Sequence, residues 1–422
     1  MRQLLFFAIT TALCVSNAWS ADFQWLLDSP PVHSAKESAD GLPDRTERIV
    51  DRYLKLPIEV PGFPIQNRVF EFLGGILARL HRRTDLRNAN AELMNPEFRP
   101  GNLGADIDLL GPFCKRQGDY DFSLMAIVKI IDLDDRSQKT LLDRRTRKHV
   151  LDVLLNLRGP KPYDRFRLDF CFPIYIRDTE NHRLMAETAR LLTNEFIMAE
   201  HPASNHNLYD NKVNGTNERM AQTLSSFLSD DFSELNSRPC QGFSATAIED
   251  LATISKNGQI RTLARMVLDY LSAKYVTQSR DLKLWGPFRR QARFALGPTL
   301  QTGDRLLGWA GALIGKLPNM GIESGLYEPE DPIPEYFGLM AALSDYRIPS
   351  LILENKFDST ASYLQIFNHR DTEIYDHGPG YLIAAGGSHR HVFGFGTSEN
   401  EVQAVATVLL TDGPESRPHI IF

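Results

Sequence analysis

Two short polar clusters carry the residue types from which a reaction could be built. Asp178-Thr179-Glu180-Asn181-His182 stands at the head of a strongly helical stretch, and Asp210-Asn211-Lys212-Val213-Asn214-Gly215 follows about one helix later. The first turn of a helix leaves backbone N–H groups unpaired and carries the positive end of the helix dipole, so it favours anions. An amide or a protonated carboxyl there can hold a substrate carboxylate, and an imidazole beside it can remove a proton from the adjacent carbon. That pairing is the chemistry of an elimination. The plainer alternative is that Asp178 or Thr179 caps the helix and the next three residues are solvated.

Around the second cluster, the run from Asn205 to Asn217 is dense in side-chain amides and reads as a loop between helix ends. Asn211 and Asn214 are candidate substrate contacts there, with turn-making as the competing use of each. Trp285-Gly286-Pro287-Phe288-Arg289-Arg290 is a third cluster. Guanidinium groups pair with carboxylates and an indole face stacks on a sugar ring, so Arg289, Arg290 and Trp285 suit an acidic saccharide. Ser388-His389-Arg390-His391 could put two imidazoles on one face of a strand, but no third ligand accompanies them, and no metal site is expected. His377 and Tyr381 flank glycines and read as structural. A G-x-S-x-G elbow, an H-E-x-x-H pair, a Walker loop and a dinucleotide fingerprint are all missing from the sequence, and no cofactor is expected.

The elements that would position these residues are mostly helices. Arg2, an apolar run from Leu4 to Val15 and the small residues before Ala21 read as a signal peptide over residues 1–20. This predicts a periplasmic or secreted protein, and no later stretch is long and apolar enough to span a membrane. Residues 21 to about 51 read as an irregular leader. Apolar residues then recur at three and four residues: Phe70, Leu73, Ile76, Leu77 and Leu80; a segment from Lys139 to Leu157; Met185, Ala189, Leu192 and Phe196; and Met220, Leu224 and Phe227. Ser244 is the expected cap of a further helix, Gly258 its expected C-cap, and Ile260 to Leu271 the returning partner. From Ile348 the period shortens, with strands expected at Ile348–Glu354, Thr372–Tyr375, Tyr381–Ala385, Val392–Phe395 and Val402–Leu410. The expected fold is mainly α: an α/α toroid, or incomplete helical barrel, over residues 21–347, with a small antiparallel β region over residues 348–422 packed on it.

Among 422 residues, 47 basic and 53 acidic side chains give a net charge of −6, which does not ask for a nucleic-acid partner. Three cysteines, Cys114, Cys171 and Cys240, remain after the signal peptide, so at most one internal disulfide is possible.

Taken in order along the chain, Tyr120-Asp121-Phe122, Glu180-Asn181-His182, Asp210-Asn211 with Asn214-Gly215, Ser237-Arg238-Pro239 and Pro287-Phe288-Arg289-Arg290 resemble exported bacterial α/α toroid polysaccharide lyases acting on glucuronan or alginate. The resemblance implies β-elimination on an anionic polysaccharide without a cofactor. Asn181 and Glu180 would neutralise the uronate carboxylate, His182 would be the base or its helper, and Arg289 would bind the sugar acid. Where the resemblance implies an aromatic hydroxyl after Ser237-Arg238-Pro239, this chain has Cys240, which leaves Tyr209 as the candidate acid. Two other readings stay open: a non-catalytic carbohydrate-binding or envelope protein on the same scaffold, and a toroid glycoside hydrolase using Glu180 and Asp210.

Overall fold

The computed structural model describes residues 24–59, 66–100, 120–163, 166–168, 175–177, 179–201, 206–234, 236–237, 240–280, 282–284, 287, 305–318, 333–358, 360–368, 372–386, 405–410 and 419–421. The expected signal peptide, Cys114, Cys171, Asp178, Trp285, Arg289, Arg290, the Ser388–His391 cluster and the strand expected at Val392–Phe395 lie outside the described residues.

In chain order the elements begin with α1 (Gln24–Leu27), α2 (Ala35–Asp40), α3 (Leu42–Leu54), α4 (Gln66–Arg82), α5 (Leu86–Leu93), α6 (Asp121–Arg136) and α7 (Arg144–His149), which a π-helical turn continues over Val150–Leu154. A short hairpin, β1 (Phe166–Leu168) and β2 (Tyr175–Arg177), precedes α8 (Glu180–Glu200), α9 (His206–Tyr209), α10 (Thr216–Asp230), α11 (Gln241–Ile254) and α12 (Gly258–Gln278). After β3 (Ser279–Arg280) and β4 (Lys283–Leu284) come α13 (Arg305–Ile314), α14 (Ile333–Ala342) and α15 (Ser350–Phe357). Strands β5 (Tyr363–Asn368), β6 (Thr372–Gly378), β7 (Tyr381–Gly386), β8 (Val405–Leu410) and β9 (His419–Ile421) form an antiparallel sheet in sequence order, built on the β5–β6–β7 meander. The protein is mainly helical with a small antiparallel sheet near its C-terminus.

Aromatic contacts fix how the helices run. Phe122, in the first turn of α6, stacks on Phe243 in the first turn of α11 at 4.2 Å and lies 4.7 Å from the His182 ring in the first turn of α8. Phe243 in turn meets Phe70 of α4 at 5.8 Å, Phe337 of α14 at 4.8 Å and the Arg305 guanidinium at the start of α13 at 4.7 Å. The N-terminal halves of α4, α6, α8, α11, α13 and α14 therefore share one end. Each contacts the next in that order, α14 returns to α4, and α11 also touches α6 and α14. The intervening helices bring the chain back: α3 lies against α4 with Arg82 paired to Glu47 and Asp51, and α12 returns along α11 after a link at Ser255–Asn257.

α11 is buried along almost its whole length, and its residues explain how. It is built from Gly, Ala, Ser and Thr between a few large apolar side chains, which lets neighbours approach closely. A Cβ on Gly242 would lie 2.7 Å from the Arg305 Cβ, and one on Gly338 would lie 3.1 Å from the Gly308 carbonyl oxygen. Two acids sit in the same buried helix. The Asp250 carboxylate lies 3.0 Å from the Lys129 ammonium of α6, with both side chains buried. Burial, opposed by Lys129, pushes the Glu249 carboxyl up to about 8 and Asp250 up to about 6. A second buried network joins helices to sheet: Lys274 of α12 pairs with Asp231 and lies 2.9 Å from Glu373 of β6, whose other oxygen accepts from Asn236, Gln278 and Tyr375.

Several expected boundaries are corrected. Residues 21–51 hold three helices, not an irregular leader: Leu42, Arg45, Ile49, Val50 and Tyr53 are buried at helical spacing, and Pro43 stands in the first turn, where proline is tolerated. Ile348–Glu354 is not a strand. Ser350–Phe357 is helical, with Leu353 buried and Phe357, four residues on, packed partly against the core. Gly258 begins α12 and does not end α11, because the Asn257 side chain accepts from the N–H groups of Gln259 and Ile260. Ser244 lies inside α11, which starts three residues earlier. Of Lys139–Leu157, only α7 and its π-helical continuation are helical. The strands expected at Thr372–Tyr375, Tyr381–Ala385 and near Val402–Leu410 are present, and β5 and β9 are additional.

Because the Glu249 carboxyl titrates near 8 in the fold and near its ordinary 4.5 in the unfolded chain, the folded state holds an extra proton between those values. Stability is lost as pH rises through that window, at up to about 1.4 kcal/mol per pH unit. Urea denaturation of wild type and Glu249→Gln between pH 5 and 8.5 is expected to show the variant gaining on wild type as pH rises. Parallel pH profiles would remove Glu249 as the source.

Candidate functional site

The shared end of the helices is where the first sequence cluster lies. Thr179 occupies the N-cap position of α8 with extended backbone angles, but its hydroxyl makes no capping bond; it turns instead to Asn181 Oδ1 at 2.5 Å. The cap comes from far along the chain. Glu234 Oε2 accepts the Asn181 backbone N–H at 3.0 Å, while Glu180 Oε2 accepts the Ser233 backbone N–H at 2.8 Å and the Ser233 hydroxyl at 2.7 Å. Two carboxylates thus clasp the start of α8 to the loop after α10, and the dipole end that could have taken an external anion already faces Glu234.

His182 is held from a third helix. Its Nδ1 lies 2.5 Å from Asp121 Oδ2, at the first residue of α6, and its ring leans on Phe122. With Nδ1–H donated to Asp121, Nε2 carries the lone pair, which is the arrangement that orients an imidazole as a base. The residue is 8 % exposed.

Beside this pair stand polar groups with no hydrogen-bond partner among the described residues. Asn181 is 1 % exposed and its Nδ2 is unpartnered; so are both amide atoms of Gln241, 2 % exposed, and the Ser237 hydroxyl. Backbone bonds bring Ser237 and Gln241 toward the Glu234 that caps α8: Ser237 N–H donates to the Glu234 carbonyl, and Gln241 N–H to the Ser237 carbonyl. A buried donor without a partner costs about 1–3 kcal/mol, so a concentration of them at one place marks a site. Cys240, buried, sits at the N-cap position of α11.

The second cluster lies elsewhere. Asn211 donates to the Leu191 carbonyl at 2.9 Å and accepts from Asn194 at 2.8 Å, while Asn194 also accepts the Gly159 N–H. Asn214 donates to the Leu208 carbonyl and accepts the Thr216 N–H, and Asp210 accepts from Lys212 and Val213. These side chains make turns. Leu191 follows His182 by nine residues, about 14 Å along the helix, so Asn211, Asn214 and the neighbouring Tyr209 stand apart from the His182 end. The structure brings Glu180, Asn181 and His182 together and adds Asp121, Glu234, Ser237 and Gln241, which the residue pattern gave no role. Asp121 was visible only as part of Tyr120-Asp121-Phe122, and Glu234 had no local signal at all.

No family model, curated protein or solved structure matches the chain. Among the described residues no group of His, Cys, Asp and Glu is arranged to hold a metal ion, and no helix is long and apolar enough to cross a membrane.

Removing the long-range cap should loosen α8. Glu234→Ala is expected to cost about 1–2 kcal/mol of unfolding free energy, read from urea denaturation. An unchanged midpoint would mean that the clasp contributes nothing.

Proposed function

We propose that this protein is an exported lyase that cleaves a uronate-containing polysaccharide by β-elimination. One observation carries the reading: an imidazole clamped by a carboxylate stands next to an unpartnered amide where the helix starts converge. The six like-directed helices with returning partners support an α/α toroid as the scaffold, and the apolar run from Leu4 to Val15 supports export.

In this reading the Asn181 amide donates to the substrate carboxylate and withdraws charge from it, which acidifies the proton on C5. His182 Nε2 takes that proton. The electron pair left on C5 forms the C4–C5 double bond as the C4–O bond breaks, and the departing glycosidic oxygen receives a proton. Tyr209 ends α9, beside the turn that Asn211 ties to Leu191 of α8, so we assign that proton to His182 itself, which returns what it removed. Asp121 is a positioning residue that fixes the ring, and Glu180 holds the loop rather than the substrate. Gln241 adds a second amide to the carboxylate side of the site. The anionic polymer expected from Arg289, Arg290 and Trp285 belongs to the same reading.

Cys240 favours a second reading, a carbohydrate-binding protein without turnover, because a thiol stands where the resemblance implies an aromatic hydroxyl. The hydrolase alternative is weaker: Asp210 adjoins Asn211, which is tied to Leu191, a level about 16 Å along α8 from Glu180, whereas paired catalytic carboxyls stand about 5 to 9.5 Å apart.

Incubation with glucuronan, alginate and other polyuronides should raise ultraviolet absorbance as unsaturated chain ends form. His182→Ala should abolish the rise, and Asp121→Asn should lower kcat at least tenfold with KM little changed. Absence of unsaturated ends from every polyuronide, with binding retained, would replace the lyase by the binding protein.

A further inference from the structure

The far end of the helices carries a different feature, a face of unpaired arginines. Arg83 and Arg87 bracket the start of α5, and Arg144 and Arg145 open α7. All four are exposed, and none has an ion-pair or hydrogen-bond partner among the described residues. They belong to one surface because Asn90 ties the two helices together: its Nδ2 donates to the Leu141 carbonyl at 3.0 Å, and its Oδ1 accepts the Asp143 N–H at 2.7 Å. Arg87 lies one turn before Asn90 on the same helix, and Arg144 and Arg145 directly follow Asp143. Arg83 is held in the left-handed region, with φ of 54°, where a long side chain is disfavoured, so the link from α4 into α5 has a set conformation.

Neighbouring charges do not cancel this face. Asp85 is engaged by Arg79, Arg82 by Glu47 and Asp51, and Lys148 by Asp152. Against the four guanidinium groups stand Asp143, just before α7, and Glu92 of α5, in a chain whose net charge is −6. The partner's chemistry follows from what accompanies the arginines. The exposed large apolar side chains of α5 and α7 are none, so nothing there would insert into a lipid surface. Neither helix contains a Phe, Tyr or Trp on which a base could stack, and the one ring present is His149 at the end of α7. Guanidinium forks without apolar or aromatic company match carboxylates repeated along a sugar chain.

We propose that the α5–α7 arginine face is a docking surface for an acidic polysaccharide, separate from the His182 site. Arg147, in α7, pairs with Asp134, thirteen residues after Asp121 along α6, so the two surfaces lie about 20 Å apart. The choice of a carboxylated chain rests on the function proposed above; the surface itself does not.

End-labelled alginate oligomers at low salt provide the test, using wild type and a variant carrying Arg83→Gln, Arg87→Gln, Arg144→Gln and Arg145→Gln. The fourfold variant should bind at least tenfold more weakly with an unchanged melting temperature, and added salt should weaken wild-type binding. Equal binding by the fourfold variant and wild type, or no salt-sensitive binding by wild type, overturns the proposal. So does tighter binding of wild type to anionic vesicles or duplex DNA than to alginate. Loss of binding in the fourfold variant, without turnover by any form of the protein, would sustain the surface while ending the lyase reading.

Discussion

Everything at the shared helix end depends on α11 having almost no outward face. A helix enclosed by α6, α8, α12, α13 and α14 must be thin where neighbours press, hence Gly242 under Arg305 and the many Ala, Ser and Thr residues. The same enclosure sets the alignment of the first turns, because Phe243 has Phe122 on one side and Phe70 and Phe337 on others. It also forces the chemistry of the interior. Glu249 and Asp250 cannot both stay ionised beside a single ammonium, so Lys129 balances one charge and a proton balances the other.

At the mouth, charge is arranged against the simplest expectation. A helix start attracts anions, and the protein has met that attraction itself with Glu234. What remains there without a partner among the described residues is directional and neutral: the amide nitrogen of Asn181, the amide of Gln241 and the Ser237 hydroxyl. In the proposed reaction such groups would distinguish a carboxylate by hydrogen-bond geometry rather than by field strength, while Asp121 fixes the orientation of the His182 ring.

The residue pattern showed the helices at α4, α8, α10 and α12 because each buries a stripe of regular spacing. It missed α1 and α2, which are short, and α3, whose buried stripe includes Arg45 and follows a proline-containing start, and it misread α15, whose Leu and Ile residues suit a strand as well as a helix. Glu180, Asn181 and His182 were legible as a cluster because they are contiguous. Their supports were not, since Asp121 lies 61 residues from His182 and Glu234 lies 53 residues from Asn181. Asn211 and Asn214 misled for the opposite reason. Amides that end turns have the same composition as amides that bind sugars, and only their partners separate the two.

The Lys274 network bears on how the molecule comes apart. Its charges are drawn from α12, from the end of α10 and from β6, and none is exposed. Peeling the sheet away would strand an ammonium and two carboxylates at the moment their partners left, a penalty of several kcal/mol before water could reach them. The sheet therefore has no inexpensive way to open alone. Helices and sheet are coupled into a single cooperative unit, although α15 leads into β5 by a link of only five residues.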